Sequence, residues 1–106
     1  MIHFRTTLQI APGRQADAVA CAHEWVAIFK EAAGVTLGIS VVTTGTLGRL
    51  CFSTDYESMS AWEALRAKGF GSPKALALGA KQDQEVRDGT SPFVPNTMHD
   101  ELWRDV

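Results

Sequence analysis

At 106 residues the chain is long enough for one hydrophobic core, and small enough that self-association would add useful burial. Apolar residues make up 45% and charged residues 21%, which excludes disordered and collagen-like classes, and no apolar run reaches the length of a membrane span. The net charge of −2, with Lys and Arg scattered rather than striped, argues against a nucleic-acid partner.

A single domain over residues 1–106 is expected. Met1 leads directly into an alternating stretch rather than a signal peptide, and the two cysteines, Cys21 and Cys51, suit a reduced cytoplasmic protein better than a disulfide scaffold. A bridge between them is not expected, since one falls on a helix and the other on a polar strand face.

Residues 2–10 alternate, with Ile2, Phe4, Leu8 and Ile10 on one face and His3, Arg5, Thr7 and Gln9 on the other, the signature of a half-buried strand. Ala11-Pro12-Gly13 stops it. Residues 14–33 follow helical spacing, with Val19, Ala22, Val26, Phe29 and Ala33 in one stripe, Trp25 at its edge, and Gly34 as C-cap.

Residues 35–56 read as a hairpin whose register can be written down. With Gly45-Thr46 as a two-residue turn, Val41 faces Leu50, Ile39 faces Phe52, Leu37 faces Thr54, Val35 approaches Tyr56, and Thr44 meets Leu47. The opposite face carries Thr36, Gly38, Ser40 and Val42 against Asp55, Ser53, Cys51 and Arg49. A slip of one residue would move the apolar set to the wrong side of the sheet, so the pattern selects its own register.

Ser58 is a candidate N-cap for a second helix through Met59, Trp62, Leu65 and Arg66 to about Lys68. Gly69-Phe70-Gly71-Ser72-Pro73 is expected to break it, and Ser72-Pro73 to start a third helix with Ala75, Leu76, Leu78 and Ala80 as its apolar residues, ending at Gly89. Two prolines keep residues 90–96 extended or looped. Residues 98–106 can form a last strand whose mixed faces suit a sheet edge or a crossing to a partner subunit.

The order β-α-β-β-α-β, with the second helix broken in two, is the ferredoxin-like α+β plan. It places both helices on one face of a four-stranded antiparallel sheet with the first and third strands central. The other sheet face would carry His3, Arg5, Thr7, Gln9, Arg49, Cys51, Ser53 and Asp55, joined by His99, Glu101 and Trp103.

On these residues the whole chain resembles the dimeric α+β barrel superfamily, which holds NIPSNAP-like domains, antibiotic-biosynthesis monooxygenases and stress-responsive barrel proteins. The resemblance is carried by the short alternating first strand, the helix behind Pro12-Gly13, the hairpin ending Thr54-Asp55-Tyr56-Glu57-Ser58, the helix opening Ser58-Met59-Ser60-Ala61-Trp62, and the late strand ending Glu101-Leu102-Trp103. Ser58 followed by Trp62 is most like the NIPSNAP type. The resemblance implies a homodimer whose sheets face one another, often exchanging C-terminal segments, and a small hydrophobic ligand between each sheet and its helices. Haem-degrading members use a first-strand Asn with a Trp and a His around the second helix. Here Thr7 and Gln9 occupy the first strand and no His lies between His23 and His99, so haem degradation is not implied. The Asn-Trp-Tyr set of cofactor-free monooxygenases is incomplete as well, because Asn96, the only Asn, sits between the prolines and the last strand.

Tyr56, Trp62 and Phe70 are candidate walls of a pocket for a planar aromatic or polycyclic ligand, or plain core. Arg66 beside the Gly69 break is a candidate mouth residue, and His23 a candidate polar partner for chemistry. Arg5 and Arg49 could clamp an anionic group, or pair with Asp55 or Glu101 on the sheet. His3 and His99 could serve a metal or a proton, or simply be solvated, and no recurring ligand spacing supports a metal. Cys51 near Arg49 is a candidate nucleophile or a small structural residue. No cofactor is expected. Two functions stay open: a small-molecule-binding protein, catalytic if Trp62, Tyr56 and Arg66 or His23 converge, and a non-catalytic dimerisation or stress-response module. A cavity of about 300 Å³ or more between sheet and helices favours the first, a packed core the second.

Overall fold

The computed structural model describes residues 1–42 and 47–106. Its elements run β1 (Ile2–Gln9), α1 (Gln15–Ala33), β2 (Gly38–Val41), β3 (Arg49–Tyr56), α2 (Met59–Gly71), α3 (Pro73–Asp88) and β4 (His99–Arg104). The strands form one antiparallel sheet in the order β2-β3-β1-β4, with the helices layered on one side. This is the ferredoxin-like α+β fold.

The hairpin has the register that its hydrophobic pattern selects. Gly38 pairs with Ser53, Ile39 with Phe52, Ser40 with Cys51 and Val41 with Leu50, and the Val42 amide bonds the Arg49 carbonyl at 3.1 Å. The expected Gly45-Thr46 turn, and Thr44, lie outside the described residues. The first strand of the hairpin is shorter than expected: Val35 and Leu37 precede it and pack beside Tyr56 in the core instead of pairing with β3.

β1 sits centrally, Phe4 between Thr54 and Leu102 and Thr6 between Phe52 and Asp100. Inward residues of β1 and β3, with Ile10 just after β1, meet α1 in two clusters. Ile10 and Leu50 pack on Ala18 and Ala22; Ile2 and Tyr56 pack on Phe29. The α1 stripe is broader than its spacing suggests, because Ile28 turns sideways to bury against Ala75 and Leu78 of α3. Leu76, expected among the apolar residues of α3, is 63% exposed.

The glycines before Pro73 do not break α2. The helix runs on to Gly71, and only Ser72, extended at φ −70° and ψ 151°, separates it from α3. Gly69 is buried because α2 crosses α1 there; a Cβ on it would collide with the Phe29 ring. Ser58 caps α2 by accepting from the Ala61 amide at 3.1 Å, and Ser72 caps α3 by accepting from the Ala75 amide at 3.3 Å, with Pro73 in its first turn.

Residues 90–98 lie along the end of β1. The Ala11 amide bonds the Pro92 carbonyl and the Val94 amide the Gln9 carbonyl, both at 2.8 Å, which turns Phe93 inward opposite Ile10. Among the described residues no helix is long and apolar enough to cross a membrane.

Candidate functional site

The aromatic residues of this chain converge. All five phenylalanines, the single tyrosine and two of the three tryptophans line one cavity between sheet and helices, and Trp103 alone stays out. The chain builds this from every layer. Phe4 comes from β1, Phe52 and Tyr56 from β3, Trp25 and Phe29 from α1, Trp62 and Phe70 from α2, and Phe93 from the loop before β4. Phe70 stands edge-on to Phe29 and Trp25, with ring centroids 5.0 and 5.7 Å apart, and Phe4 tilts against Trp62 at 6.2 Å. Such edge-to-face contacts fix ring positions as well as burying area.

The cavity is about 160 Å³. It reaches the surface beside Arg66 and Phe70 of α2 and beside Met98 and Asp100 near the sheet edge, all four of them exposed. That is below the roughly 300 Å³ typical of pockets for drug-sized ligands, and close to the ~150 Å³ apolar cavity known to accept benzene.

Apart from Gln82 of α3, its polar side chains fall at two ends. The Arg66 guanidinium stacks 5.5 Å from the Trp62 ring and 5.1 Å from the Phe70 ring, and among the described residues it pairs with no carboxylate. The Tyr56 side chain lies near it. Burial pushes the Tyr56 hydroxyl above the usual tyrosine range, against a weaker opposing pull from the Arg66 charge. At the other end, Thr6 Oγ1 donates to Asp100 Oδ1 at 2.6 Å. Tyr56 is opposite Ile2, whereas Thr6 and Asp100 are paired with one another. Tyr56 and Asp100 are therefore two strands apart, about 9–10 Å, and offset by four residues, about 13 Å along the strands.

Trp25 Nε1 donates to Gln82 Oε1 at 3.3 Å, and Gln82 Nε2 bonds Cys21 Sγ at 2.7 Å. Burial raises the Cys21 thiol above its ordinary range, which makes it a poor nucleophile. Trp62 Nε1 is the exception to this polar satisfaction: among the described residues it is the one buried side-chain nitrogen or oxygen without a hydrogen-bond partner.

Of the residues singled out from the sequence, Tyr56, Trp62, Arg66 and Phe70 share the cavity wall, and His23, Arg5 and Arg49 do not. His23 is exposed on α1. Arg5 and Arg49 lie on the open face of the sheet, where Arg5 reaches Asp55 at 4.0 Å. Both cysteines are free, and no cluster of metal-ligating side chains occurs among the described residues. Sequence reasoning missed Trp25, Phe93 and Asp100 as wall residues. Asp100 carried a usable signal, a lone carboxylate on the strand face shared by Met98 and Leu102. Phe93 carried none, since only the pairing of its loop with β1 turns it inward.

On the open face His3 bridges two carboxylates, Nδ1 to Asp55 Oδ1 at 2.7 Å and Nε2 to Asp105 Oδ1 at 2.8 Å. Trp103 is beside it on β4, 57% exposed.

Comparison with solved structures places this architecture. An uncharacterized NIPSNAP domain protein from Burkholderia xenovorans superposes with a TM-score of 0.77 at 18% identity, over 100% of this chain and 95% of that one. The likeness is one of fold: the same four-stranded sheet and helix layer of the ferredoxin-like α+β plan. A NIPSNAP family protein from Agrobacterium tumefaciens also gives 0.77, at 15% identity over 99% of this chain and 85% of that one. A candidate antibiotic-biosynthesis monooxygenase from Deinococcus radiodurans gives 0.66, at 9% identity over 100% and 93%. No protein-family model and no curated protein sequence matches the chain.

Proposed function

We propose that this α+β barrel protein binds a small aromatic molecule in the cavity between its sheet and its helices, and does so as a homodimer with the open sheet faces together. The observation that carries the reading is the convergence of eight aromatic residues on one cavity that is left unfilled. A chain that needed these rings only for its core would close them on one another, because an apolar void forfeits dispersion contacts. The volume, near that of a benzene-accepting cavity, favours one ring over a polycyclic body. Tyr56, Trp62, Arg66 and Phe70 are the proposed ligand contacts, with no cofactor required. His23, Arg5 and Arg49 stand away from it.

The dimer part rests on the open face, whose residues are small or polar except for Trp103, and on the barrel-type fold. Two free thiols fit a cytoplasmic setting. A second reading, a non-catalytic dimerisation or stress-response module, is favoured by the modest size of the cavity.

Native mass spectrometry of freshly purified protein, run beside the denatured mass, tests the proposal. A dimer carrying extra mass that disappears on denaturation is the expected result. A bare monomer would remove the dimer. Bare protein that also takes up no one-ring aromatic on titration would leave only the module reading.

A further inference from the structure

We propose that the ligand is an aromatic carboxylate, with its ring among the cavity aromatics and its carboxylate on the Arg66 guanidinium. The inference rests on the reading of the cavity as an aromatic-ligand site and adds the charge and orientation of what fills it.

Arg66 is held in place without being neutralised. Its guanidinium lies within 5.5 Å of two ring centroids, Trp62 and Phe70, and among the described residues it forms neither an ion pair nor a hydrogen bond. A guanidinium stacked on ring faces keeps its N–H donors at its edges, where a carboxylate can be met by two parallel hydrogen bonds. The stack also lowers the entropy lost when those bonds form, since the side chain is already positioned. Both rings that hold it are themselves cavity walls, so an anion bound there has the apolar part of its own molecule in the cavity.

The opposite end gives the orientation. The Asp100 carboxylate, bonded by the Thr6 hydroxyl, repels an anion and accepts from a donor. The negative group of the ligand therefore goes to the Arg66 end, and a hydroxyl or amine substituent fits the Asp100 end. No other positively charged side chain lines the cavity among the described residues. Tyr56, buried and with its hydroxyl kept protonated, offers a second donor near Arg66.

The test compares benzoate with benzamide, two one-ring probes of the same shape that differ in charge. Each is titrated into isotope-labelled protein at about pH 7 and low salt, following backbone amide shifts around the cavity. Benzoate is expected to bind about tenfold more tightly than benzamide, the scale of one charge-assisted contact. In Arg66→Gln that ratio falls to about one. Equal affinity of the two probes for the unaltered protein, with shifts at the cavity amides, would overturn the carboxylate assignment and leave the aromatic site standing. A tenfold preference that survives in Arg66→Gln would overturn Arg66 as the anion's partner. Failure of both probes to bind would overturn the site and the assignment together. The comparison on the unaltered protein needs no variant to fold.

Discussion

Gly69 of α2 lies against the ring of Phe29 of α1, so closely that any side chain there would overlap the ring. The two helices meet at this point because one of them has no Cβ. The contact brings α2 close to α1, and Trp62, Arg66 and Phe70 reach the cavity wall from that same helix.

Gly69→Ala is expected to destabilise the fold by about 1–2 kcal/mol. Overpacking a well-filled site costs about 1–3 kcal/mol, and the better helix propensity of Ala offsets up to about 1 kcal/mol of that. Phe29 is 5% exposed and held edge-on by Phe70 and tilted against Trp25, so yielding to an added Cβ would break those ring contacts and push the ring into the cavity it lines. Urea unfolding measures the change. An unaltered midpoint would mean that the helices separate freely and that Gly69 does not fix their spacing.

At Trp62 a truncation is expected to cost little. Its indole N–H is shielded and unpartnered, a defect that costs about 1–3 kcal/mol in a folded protein. Trp62→Phe loses ring area but removes the orphaned donor, so its cost should stay below about 1 kcal/mol. A loss above about 2 kcal/mol in the same urea experiment would show that the N–H has a partner in solution.

The open face predicts a pH response at His3. Both ring nitrogens point at carboxylate oxygens, an arrangement only the doubly protonated ring can satisfy. Its pKa is raised above 6.5, first by the hydrogen bond to Asp55 and then by that to Asp105. Asp105 is lowered from 3.8, chiefly by His3. A raised histidine stabilises fully below its unfolded pKa and loses that stabilisation as pH rises through the folded one. A depressed carboxylate stabilises above its unfolded pKa and loses it as pH falls through the folded one. The tie between β1 and the chain after β4 is therefore strongest between about pH 4 and 6.5. NMR titration of the His3 ring should give a midpoint above 6.5 that drops in Asp105→Asn. A midpoint unmoved by that substitution would mean that Asp105 does not hold the ring.

The sequence made some of this legible and not the rest, and the division is physical. Alternation in residues 2–10 and 38–56 is a local property, and it sufficed for the strand faces and the hairpin register, while the element order β-α-β-β-α-β supplied the sheet order. The cavity depends on how far the layers stand apart, which no local pattern encodes. Tyr56 and Trp62 could be suspected because an aromatic residue at an element's end often meets another layer. Gly69 was misread, since a glycine that permits close packing and one that breaks a helix look alike until the partner helix is known. Ile28 was passed over for a similar reason: its partner, α3, packs against the flank of α1 and not against the face turned to the sheet.

Trp103 is the last residue to place. It is paired with His3 in the sheet, 57% exposed, and is the one aromatic side chain that the cavity does not use. Leaving a large indole in water forgoes roughly 25 cal/mol for each Å² of apolar surface that could be covered. In the proposed dimer the second sheet covers it, beside the His3–Asp55 and His3–Asp105 contacts of the same face. Aromatic anchors that become buried at an interface typically carry about 2 kcal/mol or more of association energy. Trp103→Ala should therefore weaken self-association by about thirtyfold or more, read by sedimentation across a concentration series, while the monomer stays folded because the side chain contributes little to its own core. Sedimentation that does not change would remove Trp103 from the interface, and with it the main apolar reason for the two open faces to meet.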